Sequence, residues 1–358
     1  VTDTEPADRP IGAWNDPAGL PPALRPLWIM TQKYAAQAIY VLAKLSVADL
    51  LAPGPRTADE LAGQVGADPR ALYRILRCAA SVGVFAELPD RRFTLTPEAE
   101  GLRSGRPGTF RDLIVLHGED ITWRQYGDIM HSVRTGRPAF EKVFGKPIFD
   151  YLADHPEQEA LFNRAAEQVA GPVTDGYLQA YDFGRFRRVA DIGGGTGYFL
   201  GRLLQENPDG SGLLVDRPSA VEESTKVFAD LGVASRARAV PGDFFDTVPA
   251  GYDAYILKSI LHDWPDDRAR RILRTVRRAI GDDGDARLLV LDSVLAGGNA
   301  PDHGKLLDVH MLVTFGGRER TLEEWWRLIR DGGFEPAAEP VLGTWPVLEC
   351  RPNPEALP

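Results

Sequence analysis

Cysteine is nearly missing from this sequence. The 358 residues hold two, Cys78 and Cys350, and neither belongs to a Cys-x-x-Cys pair. That argues against a disulfide framework and against a cysteine zinc site. Long apolar runs are missing too: no stretch approaches the roughly 18 residues of a membrane span. Nor is there a basic excess. Lys+Arg number 41 against 51 Asp+Glu, a net charge of −10. General binding to nucleic acid or to anionic membranes is therefore disfavoured. The opening VTDTEPADRP is acidic and carries proline, unlike a secretory signal. The expected location is the cytoplasm. No internal repeat or low-complexity tract is visible.

What is present suits a globular protein: 44% hydrophobic and 26% charged residues, ample for a core. At about 150 residues per domain the length points to two domains. Residues 1–20 are polar with Pro and Gly, and read as a mobile or strapping arm. From Leu24 to about Leu51 the pattern is helical, apolar and poor in charge. Two helices broken near Leu45 fit it. Such helices need burial, in their own core or against a second subunit, and a dimer interface is the sharper reading.

Thr57 and Glu60 form a capping box that opens the next helix. Asp68-Pro69 starts another. Two short β pieces follow, at 84–88 and 91–95. Helices and then a β-ribbon are a winged-helix pattern, which often means DNA binding. Here residues 1–150 carry 18 basic and 18 acidic side chains, without the surplus a DNA reader needs. Residues 107–180 read as further helices with aromatic insertions, mostly core, some of them candidates to line a pocket for a flat apolar ligand.

After Phe186 strands alternate with helices. Strands are expected at 187–193, 212–216, 236–240, 252–258 and 287–295, with helices at 218–231 and 266–280 among others. This rhythm means a mostly parallel sheet in three layers, an α/β fold. The domain boundary is placed near residue 180, giving segments 1–180 and 181–358.

The strongest motif is Asp191-Ile-Gly193-Gly-Gly195-Thr-Gly197, where the first of these strands turns into a helix. Glycines there permit a tight turn and let a ligand touch the backbone, and the helix offers free N–H groups. A dinucleotide fingerprint would need Gly at 198, which is Tyr, and a P-loop would need Gly-Lys-Ser/Thr. The carboxylate of Asp191 repels pyrophosphate but suits a cation, and S-adenosylmethionine carries a sulfonium and an ammonium. Asp216 ends the second strand, where an acid can accept ribose hydroxyls. Asp243 with Phe244 follows the third strand, where a carboxylate and a ring can take an adenine.

These stretches, with LKSILHDWPDDRARRIL (257–273), LLVLDSVL (288–295) and GGRERTLEEW (316–325), give the chain its resemblance. It resembles the S-adenosylmethionine-dependent O-methyltransferases of the plant caffeic-acid and bacterial polyketide type, from about residue 24 to 350. The resemblance implies a Rossmann-like doubly wound sheet, the class I methyltransferase fold. It also implies an N-terminal, mostly helical, winged-helix-like domain that forms a homodimer and closes over the acceptor. It places Asp191, Gly193, Gly195 and Gly197 at the methionine end of the cofactor, Asp216 at the ribose, Asp243 and Phe244 at the adenine, and Lys258 near the cofactor. His262 falls on the family's general base, and Asp292 and Glu319 on two acids flanking it. Plant members usually carry Glu where this chain has Asp292, and the shorter side chain bears on the tightness of that contact. No metal is expected. His303 and His310, seven apart on one helix, lack the carboxylates of a metal site, and His310 lies near the expected acceptor site.

Methyl transfer from sulfonium to oxygen needs an aligned acceptor and removal of its proton. A phenol has a pKa of about 10. An ordinary histidine, near pKa 6.5, is neutral and basic at working pH. An acid on its other nitrogen fixes the tautomer and stabilises the imidazolium. The expected function is O-methylation of a phenolic hydroxyl on an aromatic secondary metabolite. The alternatives are a same-fold hydroxylase or decarboxylase that keeps S-adenosylmethionine, and a non-enzymatic winged-helix binder. Abundant Ala, Arg, Gly and Pro with scarce Lys suggest a GC-rich bacterial source, where this family decorates antibiotics.

Overall fold

The computed structural model describes residues 19–355, so the arm expected at residues 1–20 lies almost wholly outside the described residues. The chain divides into two compact units. Among the described residues, one comprises 19–123 with 161–168, the other 124–160 with 169–355.

In the first unit, helices Arg25–Lys44 and Val47–Leu51 are separated at Ser46, whose backbone is left-handed. Thr57 caps helix Ala58–Val65 through its side chain, and Glu60 returns the bond to the Thr57 N–H. Asp68 caps Pro69–Ser81. The ribbon strands are Phe85–Glu87 and Arg92–Leu95. A third, Arg56–Thr57, pairs antiparallel with Phe93 and Arg92. The sequence hid it because Thr57 serves both as strand end and as helix cap. Leu42, Val47, Leu61, Leu76, Phe85 and Phe93 fill this unit's core. Leu27, Ile29, Met30 and Tyr34 of the first helix remain exposed.

The second unit is built on seven strands: β1 Arg188–Ile192, β2 Ser211–Asp216, β3 Ala237–Pro241, β4 Ala254–Lys258, β5 Arg287–Leu291, β6 Phe334–Pro336 and β7 Leu348–Pro352. Their order across the sheet is β6-β7-β5-β4-β1-β2-β3. β3, β2, β1, β4 and β5 run parallel. β7 runs antiparallel to both β5 and β6, so the sheet is mixed. The expected strand 287–295 stops at Leu291. Val294–Leu295 instead pairs in parallel with Arg320–Thr321.

Strand alternation explains the three layers. Ala190, Ile192, Leu213, Val215, Tyr255, Leu257, Leu288 and Val290 face helices Asp266–Ile280 and Leu322–Asp331. Val189, Leu214, Ala254, Ile256, Leu289 and Leu291 face helix Tyr198–Glu206 and Phe228. Helix Asp266–Ile280 buries Ala269, Ile272, Leu273, Val276 and Ile280, a spacing that keeps one side apolar. Asp266 and Asp267 lie in its first turn and Arg277 and Arg278 in its last, each sign where the helix dipole favours it. Among the described residues no helix is long and apolar enough to cross a membrane.

Candidate active site

The parallel strands end on one side of the sheet, and the glycine loop begins there. Gly193, Gly195 and Gly197 have φ of 76°, 61° and 77°, a region that strains any residue with a Cβ. A Cβ on Gly193 would come within 2.5 Å of Ile260 and 3.3 Å of Phe244. A Cβ on Gly195 would meet nothing within 4 Å, so this stretch of backbone faces open space. Its N–H donates to Asp216 Oδ2 at 2.8 Å, and Asp216 Oδ1 accepts from the Arg217 N–H at 2.7 Å. Asp243 Oδ1 accepts from the Phe245 N–H at 2.8 Å, which fixes the turn bearing Phe244.

Asp191 lies beneath the loop. Both its carboxylate oxygens are buried without a hydrogen-bond partner. Burial pushes its pKa up to about 7, with Lys258 pulling back and Asp216 adding to the rise. Lys258, at the end of β4, is pushed down by burial while Asp191 and Asp292 oppose. A buried, unsatisfied carboxylate is costly and fits a cationic group brought by a ligand.

The second cluster forms where β4 and β5 end. Ser259, after Lys258, has a φ of 54°, uncommon for a residue with a side chain. It leads into the tight turn Leu261–Asp263. His262 Nδ1–H donates to Glu319 Oε1 at 2.7 Å. Asp292 Oδ1 is 3.7 Å from the same nitrogen, and Asp263 Oδ1 is 3.5 Å from Nε2. Asp292 follows β5, and the pairing of Arg320 with Val294 brings Glu319 beside it. Both acids are buried. With Glu319 accepting at Nδ1, the neutral imidazole keeps its lone pair on Nε2.

The electrostatics differ from the expectation of an ordinary, neutral histidine. Burial pulls His262 down, but Asp292, Asp263 and Glu319 outweigh it and its pKa is pushed up to about 10. Asp292 is itself raised to about 7, chiefly by burial. Three carboxylates around one imidazole favour its protonated form.

All the expected residues therefore fall in two neighbouring groups at the strand ends, bridged by Lys258. Sequence reasoning missed four others. Asp263 approaches Nε2. Asp308 Oδ1 accepts from the Glu319 N–H at 2.8 Å. Gly317 has no room for a Cβ, which would meet the His262 carbonyl oxygen at 1.9 Å. Arg320 is 1% exposed. The stretch GGRERT was the only signal for the last two. Of the expected pocket aromatics, Phe140 and Tyr177 are core. Tyr126 Oη lies 2.8 Å from His310 Nδ1, and rings run on from His310 through Phe315 and Phe149 to Trp264 and Phe244. Among the described residues no group of His, Cys, Asp and Glu is arranged to hold a metal.

Residues 123–335 match the family model of the O-methyltransferase domain, and residues 29–103 that of the O-methyltransferase dimerisation domain. The chain is 43% identical to a phenazine O-methyltransferase of Lysobacter antibioticus, over 91% of this chain and 95% of that protein. It is 42% identical to the 8-amino-8-demethylriboflavin N,N-dimethyltransferase of Streptomyces davaonensis, over 87% of this chain and 90% of that protein. It also superposes on an O-methyltransferase from neocarzinostatin biosynthesis, solved with S-adenosylmethionine and 2-hydroxy-5-methyl naphthoic acid. There the TM-score is 0.79 and the identity 32%, over 89% of this chain and 96% of that one. A sheet ending in an unpaired buried acid, a histidine held by glutamate, and matches spanning both units lead to one conclusion: the chain belongs to the O-methyltransferase family.

Proposed function

We propose that this protein methylates a phenolic hydroxyl of an aromatic secondary metabolite at the expense of S-adenosylmethionine, with His262 as general base. The observation that carries the reading is the 2.7 Å bond from His262 Nδ1–H to buried Glu319. S-adenosylmethionine would supply a methyl group already activated on sulfur. Asp191 and the Gly193, Gly195 and Gly197 backbone would hold its methionine end, Asp216 its ribose, and Asp243 with Phe244 its adenine, Lys258 lying alongside. Asp191 fits such a cation because both its oxygens lack a partner. Asp216 keeps lone pairs free beyond those given to Gly195 and Arg217.

His262 Nε2 would take the phenolic proton. With a pKa pushed up to about 10, the imidazolium nearly matches a phenol near 10, so the transfer runs with little uphill cost. Glu319 and Asp292 stabilise the imidazolium and keep Nδ1 protonated. Asp292 acts at longer range, at 3.7 Å, as its shorter side chain requires.

The domain division near residue 180 belongs to the same proposal: residues 1–180 dimerise and cover the acceptor, and 181–358 hold cofactor and base. The match to the dimerisation domain and the exposed Leu27, Ile29, Met30 and Tyr34 support a homodimer. The identity to an N,N-dimethyltransferase favours a second acceptor class, an aromatic amine. The complete histidine cluster argues against a hydroxylase or decarboxylase, which has less need of the base. Titration calorimetry with S-adenosylmethionine and S-adenosylhomocysteine, then a screen of phenolic and aminoaromatic metabolites for a mass gain of one methyl, tests the reading. Absence of binding by the folded dimer would end it.

A further inference from the structure

Arg320 is the most deeply buried arginine among the described residues, 1% exposed, and it makes five hydrogen bonds. Nη1–H groups donate to the carbonyl oxygens of Leu261 and Arg318, each at 3.1 Å. Nη2–H groups donate to the Trp264 carbonyl at 3.1 Å and to Asp266 Oδ1 at 2.7 Å. Nε–H donates to the same Asp266 oxygen at 3.1 Å. Leu261 and Trp264 stand on either side of His262 and Asp263. Arg318 precedes Glu319. One planar group thus joins the peptides around the histidine to the peptide that presents its acid.

The guanidinium carbon also lies 4.9 Å from the centre of the Trp325 ring. The Trp325 indole N–H donates to the Ser293 carbonyl at 2.8 Å, one residue after Asp292. The Asp292 segment is therefore joined to Arg320 through Trp325, while the other two segments of the cluster meet at Arg320 directly. A second link runs beside it, from the Arg318 N–H to the His262 carbonyl at 2.8 Å. The positive charge also counts, since it opposes the rise in the pKa of Asp292.

We propose that Arg320 is a positioning residue that holds the His262–Glu319 pair in register, beyond its contribution to packing. The inference rests on the reading of His262 as general base. A guanidinium suits the task because it is planar, always charged and presents a rigid fork of donors; a lysine ammonium is a point charge that cannot span the same carbonyls. Positioning by a group away from the reacting atoms matters because small misplacements cost rate steeply.

The test uses the full-length protein saturated with S-adenosylhomocysteine and follows the His262 Nδ1–H proton by NMR, downfield of the amide envelope. His262→Ala assigns the resonance by removing it. Arg320→Lys is expected to shift it upfield or broaden it by exchange with water, while S-adenosylhomocysteine affinity stays within about threefold. Asp266→Asn, which removes the partly exposed anchor of Arg320, is expected to do the same to a smaller extent. An unchanged resonance in folded Arg320→Lys overturns the proposal. Should Arg320→Lys not fold, an unchanged resonance in Asp266→Asn overturns it instead. If the wild-type protein shows no such resonance, the hydrogen bond itself is absent and the general-base reading falls with the proposal, an outcome distinct from the other two.

Discussion

Glu319 accepts the Nδ1–H of His262 at 2.7 Å, while Asp292, on the same side of the ring, stays 3.7 Å from that nitrogen. The two acids are therefore not equivalent. Glu319 fixes the tautomer through a charge-assisted hydrogen bond, and Asp292 acts through space. Glu319→Gln should lower kcat about 10²- to 10⁴-fold, the range of general-base help. Asp292→Asn should cost less, roughly tenfold, and leave cofactor affinity unchanged. Steady-state kinetics beside calorimetry of each variant checks the ranking, and equal losses would contradict it.

The pH profile follows from the same cluster. His262 must lose its proton before it can take another, and its pKa is raised from 6.5 to about 10. The rate with a phenolic acceptor should therefore climb with pH well above 6.5. The linkage to stability has the opposite sense. A histidine whose pKa is raised on folding contributes fully below the unfolded pKa, here 6.5, and the contribution is lost as pH rises through about 10. Thermal melts of wild type and His262→Ala between these limits should converge as pH increases.

The cofactor role proposed for Asp191 makes affinity depend on pH. Burial raises its pKa to about 7, so the unliganded protein keeps it protonated below that point. As with any carboxyl raised on folding, its contribution to stability is whole below about pH 4 and is lost as pH rises through about 7. A bound cation needs the carboxylate, so binding should release a proton and tighten as pH rises towards 7. Asp191→Asn should flatten this dependence and weaken binding by roughly 1.5–3 kcal/mol, the worth of a hydrogen bond to a charged group. Calorimetry in buffers of differing ionisation enthalpy measures the proton directly.

Gly317 is a packing constraint on His262. A methyl group there meets the His262 carbonyl at 1.9 Å, and backbone must move to admit it. Gly317→Ala should cost roughly 1–3 kcal/mol of stability, as overpacked sites do. It should also lower kcat, because the displaced peptide belongs to the histidine. A melting temperature and a kcat both at wild-type values would refute this.

Much of this was legible in the sequence, for identifiable reasons. The glycine loop, the acids ending β1 and β2, and the helix at Asp266–Ile280 announce themselves through local pattern, and local pattern is what sequence displays. The Thr57 capping box is of the same kind. Less visible were features made by distant segments meeting. The parallel pairing of Arg320 with Val294 spans two residues on each side, too short for any periodicity. The burial of Arg320 contradicts the surface preference of arginine and becomes intelligible only once three carbonyls and a carboxylate surround it. The raised pKa of His262 depends on three acids from three separate segments. Sequence supplied the residues; only the fold brings them to one imidazole.

The central claim is that His262 removes the acceptor's proton. The most direct measurement is the single-turnover rate of methyl transfer by His262→Ala on a phenolic acceptor, with S-adenosylmethionine affinity measured in parallel. The account predicts a rate lower by about 10²- to 10⁴-fold with affinity essentially unchanged. Methyl transfer at the wild-type rate would contradict it.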